Sequence, residues 1–458
     1  MADLERRRNE ELARILHQLG WNPERLAREV NLTLPPALAI SSTAPYKWRD
    51  RGMVPRSPHD QAVCEVLSRT LGIAVTYEQL WGRMGGNRGA KILSPRLLGD
   101  PWTADTAQTA LRDAAADAGP VRLTDLFRGA DLDQAARRLV SPPPPVGGGE
   151  GALRIDPALV GELGLAYQSK LRLERACGGG LVLGPARAEL AMVAKLLELG
   201  AYDEALGREL YGTASRLARL VGWAGYDLGH EAAAQRAFAA ALRAAHVCGD
   251  ARLGVSVAGC LVVLATHNPG GRGLDAITML TTALEAAGPA LGAAERALQL
   301  GRIARAHGRR GEGEEAEAAA GRALAALAGG LHDGRPHDGR PHDGGPHDGR
   351  LHDGAADPEV RADLAGMLGE AYLHLGELAR ARTLLAEAVA GLGPGRARAR
   401  VLLMVRLADA HRRAGDRAEA AGTADRARLL AAGMQSERVA RALRDFDAAS
   451  RLVSPGEA

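Results

Sequence analysis

The sequence predicts an all-α protein: an N-terminal helix-turn-helix module followed by a long array of paired helices. Three observations carry that expectation. Ala, Leu, Gly and Arg dominate the chain and aromatic residues make up only 3%, so strand-forming residues are too scarce for a sizeable sheet. Apolar residues recur at helical spacing, as at Leu12, Ile15, Leu16 and Leu19. From about Asp156 onward, amphipathic stretches alternate with Gly- or Asp-containing turns at a repeating interval, which marks a stacked architecture. The 458 residues exceed what one small core organises, and three parts are expected: 8–83, 84–155 and 156–452.

The first part reads as five short helices. Glu10–Leu19 has one apolar face; Asn22 can cap a second helix with Pro23 at its first position, running to Val30. Ser41 can cap a third, Ser42–Asp50, with Pro45 in the first turn, where backbone N–H groups lack intrahelical acceptors. Gly52 ends it and Pro55 blocks its continuation. Asp60–Leu71 and Tyr77–Trp81 complete the set. Helical patches near Thr103–Ala118 and Leu132–Leu139 follow, and then the run 142–149, four prolines, Val146 and three glycines, reads as a linker.

Beyond the linker one small-residue pattern appears four times. It runs Val221-Gly222, Ala234, Phe238, Ala241; Ile303-Ala304, His307, Ala316, Ala320, Ala323; Leu368-Gly369, Tyr372, Ala381, Leu385, Ala388; and Leu407-Ala408, His411, Ala420, Ala424, Ala427. Gly or Ala where two helices meet lets their axes approach, and larger residues fill the gaps. Each pair leaves an apolar face that only the next pair can cover, so the units must stack. The pattern resembles the tetratricopeptide unit. Arg187–Leu220 and Leu274–Ala287 read as degenerate members, and Ser436–Leu452 as a terminal cap.

One insertion interrupts the array. Residues 331–354 hold His-Asp-Gly five times, at His332, His337, His342, His347 and His352. A five-residue period rich in Gly and Pro suits neither helix nor strand, so a disordered loop is expected. The His-Asp pairs could chelate Zn²⁺ or Ni²⁺. A hydrophilic loop without a preorganised site is the reading adopted, and no metal is assigned.

Charge points to the N-terminus. The net charge is +3, yet residues 1–100 hold 15 Lys and Arg against 11 Asp and Glu, as a polyanion-binding module would need. Cys64, Cys177, Cys248 and Cys260 show no metal-ligand spacing and read as packing thiols, with a disulfide or redox role as the alternative. The charged start, Met1 to Glu11, has no apolar signal region, and no run approaches the roughly 18 apolar residues of a membrane helix, so a cytoplasmic location is expected.

Two stretches resemble known families. Leu26-Ala27, followed by the run from Ile40 through Ser41, Ser42, Thr43, Ala44, Pro45, Tyr46, Lys47, Trp48, Arg49, Asp50, Arg51 and Gly52 to Pro55, is similar to the XRE-type (lambda-repressor-like) helix-turn-helix. The resemblance implies that Ser42–Asp50 enters a DNA major groove. Ser42, Thr43 and Tyr46 would then reach bases, while Lys47, Arg49, Arg51 and Arg56 would neutralise phosphates. This chain departs from that family in a turn lengthened by Asn31–Leu38 and in carrying Arg49 where an acidic residue is usual. A helical docking domain is the alternative for the same segment.

The second stretch, Leu217 to Gly229 followed by Ala234-Gln235-Arg236-Ala237-Phe238 and Ala241-Leu242, resembles the middle of a group of actinomycete regulators. These pair an XRE-like N-terminus with a tetratricopeptide region, and membership implies a role in sporulation and antibiotic production. Trp223, Tyr226 and Phe238 themselves read as core and inter-helix packing, with ligand contact as the alternative.

No catalytic constellation or cofactor site is read from the chain. Gly85 to Ile92 lacks the glycine, the hydroxyl residue and the preceding strand of a phosphate loop, and the remaining histidines are scattered singly. The expected protein is a DNA-binding transcriptional regulator acting as a homodimer on an inverted-repeat operator, its array receiving a peptide, protein or small-molecule effector. The rival is a scaffold that never touches DNA and sequesters a partner protein.

Overall fold

The computed structural model describes residues 8–32, 38–56, 59–71, 75, 80–81, 101–116, 129–147, 149–267, 273–332 and 357–452. The described residues form nineteen α-helices and three strands of two or three residues each, an all-α fold with a helical array.

The N-terminal module has its own core. Its helices are α1 (Glu10–Gln18), α2 (Pro23–Asn31), α3 (Ala44–Arg51) and α4 (His59–Leu71). Asn9 and Asn22 cap the first two, each accepting a backbone N–H at 2.8 Å. The apolar face of α1 buries Leu12, Ile15 and Leu16 against Leu26, Val30 and Trp48. Trp48 meets Trp81 edge-on, ring centroids 6.2 Å apart. Gly52 ends α3 in the left-handed conformation, φ +57°, where a side chain would be strained.

The third helix begins two residues later than expected. Ala44 N–H donates to Ser41 C=O at 3.1 Å, which makes Ser42 and Thr43 the corners of a turn. Ser41 Oγ lies 3.2 Å from Thr43 Oγ1, and no side chain caps the helix. Of the expected helix Tyr77–Trp81, Leu80 and Trp81 are described and buried, and the rest lies outside the described residues.

The larger core starts ahead of the proline run. Helices α5 (Ala104–Ala115) and α6 (Gly129–Leu139) carry Leu111, Leu132 and Ala135 into the same core as the array. Trp102 packs edge-on against His246, and Ala104 C=O accepts from Tyr211 at 3.1 Å. The expected linker at 142–149 is therefore corrected: Val146 is buried, and Arg208 donates to Pro144 C=O at 3.4 Å. Strands β1 (Gly149–Glu150) and β2 (Leu153–Arg154) then flank β3 (Gly200–Tyr202), antiparallel and parallel respectively. A proline run lacks donors, but its carbonyls and one apolar side chain suffice to fasten it.

The array proper opens with α7 (Pro157–Cys177) and α8 (Leu183–Leu199). Five antiparallel pairs follow: α9 (Glu204–Asp227) with α10 (Glu231–Cys248), α11 (Ala251–His267) with α12 (Gly273–Ala287), and α13 (Ala293–Arg310) with α14 (Gly313–His332). The last two are α15 (Pro358–Leu375) with α16 (Leu378–Gly391), and α17 (Ala397–Arg413) with α18 (Arg417–Ala431). A final helix, α19 (Glu437–Leu452), is capped by Ser436.

The four repeated patterns fall on four of these pairs, and the small residues sit where expected. A Cβ on Gly222 would lie 2.7 Å from the Phe238 ring, and one on Gly369 2.8 Å from Leu385 Cγ. Ala234, Ala320, Ala381, Ala388 and Ala424 are all buried between partner helices. The His-Asp-Gly repeat lies outside the described residues apart from His332 at the end of α14, as does the whole of Gly85–Ile92.

The array curls until its ends touch. α7 packs against both α9 and α17. Gln435 N–H donates to Cys177 C=O and Gly180 N–H to Gln435 C=O, each at 3.0 Å. No helix among the described residues is long and apolar enough to cross a membrane.

Candidate functional site

Two places on the molecule gather chemistry, and the first is the surface of α3. Pro45 and Trp48 point into the module, so Thr43, Lys47 and Arg51, spaced four apart, share the outward face. Ser42 and Arg56 are exposed beside them. Tyr46 and Arg49 are only half-exposed and are occupied with each other: the guanidinium lies over the Tyr46 ring, 5.1 Å from its centroid. Arg49 also donates to both Asp50 oxygens, at 2.7 and 2.8 Å. That bond holds the Arg49 pKa above and the Asp50 pKa below their ordinary values. The structure thus brings Ser42, Thr43, Lys47, Arg51 and Arg56 to one exposed region and sets Tyr46 and Arg49 back from it.

The lengthened turn ahead of α3 is anchored from both sides. Asn31 donates to Ile40 C=O at 2.9 Å and accepts from Ile40 N–H at 2.8 Å, closing the loop as a backbone pair would. The His59 ring contacts Leu38 C=O at 2.9 Å. The sequence shows the extra residues; the asparagine that fastens them is visible only in three dimensions.

The second place was missed by sequence reasoning. The first helices of the pairs, α9, α11, α13, α15 and α17, face inward and converge with α7 and α19 on a cavity of about 110 Å³. Six arginines line it: Arg175, Arg302, Arg305, Arg396, Arg398 and Arg438. Against them stand two carboxylates, Asp363 and Glu370. In a chain with 58 basic residues, nearly all Arg, no spacing singles these six out.

Behind the cavity wall, and sharing Arg398 and Arg438 with it, lies a buried polar hub that also joins the ends of the array. Asp227, fully buried at the end of α9, accepts from Gly179 N–H at 2.9 Å, Ser436 Oγ–H at 2.9 Å and Arg398 Nη1 at 2.8 Å. Burial alone would push its pKa up, but Arg398 and Arg438 outweigh it and hold the carboxylate below its ordinary range. Glu174 on α7 lies 2.6 Å from Arg398 Nη2. There burial prevails, helped by the neighbouring Asp227 charge, and the Glu174 pKa is raised.

Other charges around the cavity are paired unevenly. Arg396 grips Asp363 with two bonds, at 2.8 and 3.0 Å. Arg305 and Glu370 stand 3.6 Å apart. Trp223 is flanked by the Arg438 guanidinium, 5.3 Å from its ring centroid, and by Tyr226 at 5.6 Å. Its indole N–H is buried without an acceptor. Tyr226 is buried, as its packing role requires, while Trp223 combines packing with a place at the cavity wall.

Residues 12–81 match the family model of the SP15 N-terminal domain. The match spans α1 to α4 and reaches Trp81, so it coincides with the separate core of the module. This family is a different one from the XRE-type helix-turn-helix family that the α2–α3 segment resembles, and the N-terminal assignment is corrected accordingly. No curated protein matches the chain. The matched segment contains Ser42, Thr43, Tyr46, Lys47, Arg49, Arg51 and Arg56. Among the described residues no cluster of His, Cys, Asp and Glu could hold a metal ion, and none of the four cysteines is in a disulfide, Cys64 and Cys260 being buried.

Proposed function

We propose that this protein is a DNA-binding transcriptional regulator of development or secondary metabolism, acting as a homodimer. In this reading the SP15 N-terminal domain contacts DNA, and the helical array, a tetratricopeptide-like scaffold, dimerises and receives an effector. The observation that carries it is the stripe of Lys47 and Arg51 on α3 with Thr43 at its start, exposed opposite the buried Pro45 and Trp48. A helix that buries one face and offers hydroxyl and cationic groups on the other is equipped for base edges and phosphates. Ser42, at the turn before the helix, would add a base contact and Arg56 a phosphate contact. Arg49 would contribute less, because Asp50 already neutralises it.

One observation favours the rival reading. Leu32, Met53 and Val54 are exposed on the same module, Leu32 at 79%, and apolar side chains at a surface suit a protein partner better than a phosphate backbone. Gel shifts of the full chain on genomic fragments at low and moderate salt separate the two. Retention of a subset of fragments containing inverted half-sites about one helical turn apart supports the regulator. Uniform absence of retention at low salt assigns the module to protein docking.

A further inference from the structure

Arg302 is an unusual charge. It sits on α13 at 3% exposure, and its one hydrogen-bond acceptor is the neutral Gln299 Oε1 at 2.8 Å. Among the described residues no carboxylate lies within ion-pair distance of it. A buried guanidinium without a direct ion pair costs several kcal/mol, and burial lowers its pKa, Arg305 and Arg219 adding to the effect while Cys260 and Asp363 oppose it. The fold makes room for it nevertheless. A Cβ on Gly259 would lie 2.3 Å from Arg302 Nη1 and 2.1 Å from Gln299 Oε1, so only glycine on α11 leaves the pair in place.

The neighbours share the imbalance. Asp363 is committed to Arg396, and Asp227 and Glu174 converge on Arg398. Arg438 stands 3.9 Å from Asp227, and Arg305 has Glu370 at 3.6 Å. Arg309 and Arg406 crowd the same carboxylate electrostatically. Independently of charge, the Trp223 indole presents a buried N–H with no acceptor at the cavity wall. An unfilled buried donor beside surplus positive charge describes a receptor for an anion.

We infer that the inner cavity of the array binds a small oxyanion of the phosphoryl class, with Arg302, Arg305, Arg438 and the Trp223 N–H as its donors. The volume selects a group and not a large cofactor: about 110 Å³ is well short of the roughly 300–1,000 Å³ pockets of drug-sized ligands. The charge selects a dianion, since one carboxylate would leave part of the excess unbalanced. Free phosphate and the terminal phosphate of a small metabolite share this chemistry. Because the donors come from α9, α13 and the terminal α19, an occupied cavity would hold the curled array closed. The inference rests on reading the array as the receiving part of the molecule.

The test is isothermal titration calorimetry and thermal melting of the full chain, without DNA, in inorganic phosphate against sodium chloride at matched ionic strength. Phenyl phosphate and sodium acetate serve as the ester and the monocarboxylate. The expected result is one saturable phosphate site and a rise in Tm of about 4 °C at a hundredfold excess over Kd. Tighter binding of phenyl phosphate identifies a phosphorylated metabolite as the source; its exclusion identifies free phosphate. Arg302→Met should abolish the phosphate effect yet melt at or above the unliganded wild type, because a buried unbalanced charge is gone. Trp223→Phe keeps the ring and should weaken binding about tenfold. Equal melting in phosphate and chloride with no binding heat, acetate binding as well as phosphate, or Arg302→Met binding like wild type would overturn the inference. Since no DNA is present, such a failure leaves the proposed DNA contact standing.

Discussion

Asp227 gathers hydrogen bonds from residues 48, 171 and 209 positions away along the chain, and so fastens three remote segments at one point. Asp227→Asn removes the charge that Arg398 and Arg438 face and turns one acceptor oxygen into a donor. A loss of about 3–5 kcal/mol is expected, read from the urea midpoint at constant m-value. His374 sets a pH dependence. Burial and the nearby Arg309 depress its pKa from 6.5 to about 4, so the folded state binds it neutral. The unfolded chain takes up that proton as pH falls below 6.5, and stability should drop between pH 6.5 and 4. His374→Gln should flatten that part of the profile. At this scale little was legible in the sequence. Asp227 lies in the conspicuous run Gly225 to Gly229, but nothing in the spacing announces Arg398 as its partner. Arg302 looks like any other arginine of an Arg-rich helix.

Local chemistry was far more readable at the scale of the element. Asn9, Asn22, Thr103, Asp156 and Asp203 all cap helices, and left-handed glycines end several of them. The small residues of the repeats were legible because close helix packing leaves few alternatives. Gly222→Ala places a methyl 2.7 Å from the Phe238 ring and should cost about 1–3 kcal/mol, with a matching fall in Tm. The start of α3 was misplaced because Ser41, a good cap by composition, is spent on a turn. Asn31→Ala removes both bonds that close the long turn. It should destabilise the module by about 1–3 kcal/mol and leave the melting of the array unchanged, a separation visible by calorimetry.

At the scale of the whole molecule, stacking was predictable from repetition, whereas closure was not. A repeat pattern fixes how one pair meets the next; the sum of small rotations that returns α17 and α19 to α7 leaves no mark in the pattern. The proline run misled for a related reason. Composition suggests a tether, but β1 and β2 on its far side pair with β3, and α5 and α6 on its near side share the array core. The central functional claim concerns the other part, the N-terminal module and its α3 surface. It is tested most directly by fluorescence anisotropy of the full chain on a retained genomic fragment across a salt series. If α3 binds DNA, log K falls linearly with log salt. Lys47→Ala and Arg51→Ala then each flatten the slope by about 1, and Arg49→Ala flattens it less. A double variant, Lys47→Ala with Arg51→Ala, that binds with wild-type affinity and slope would contradict the claim and leave the scaffold reading in its place.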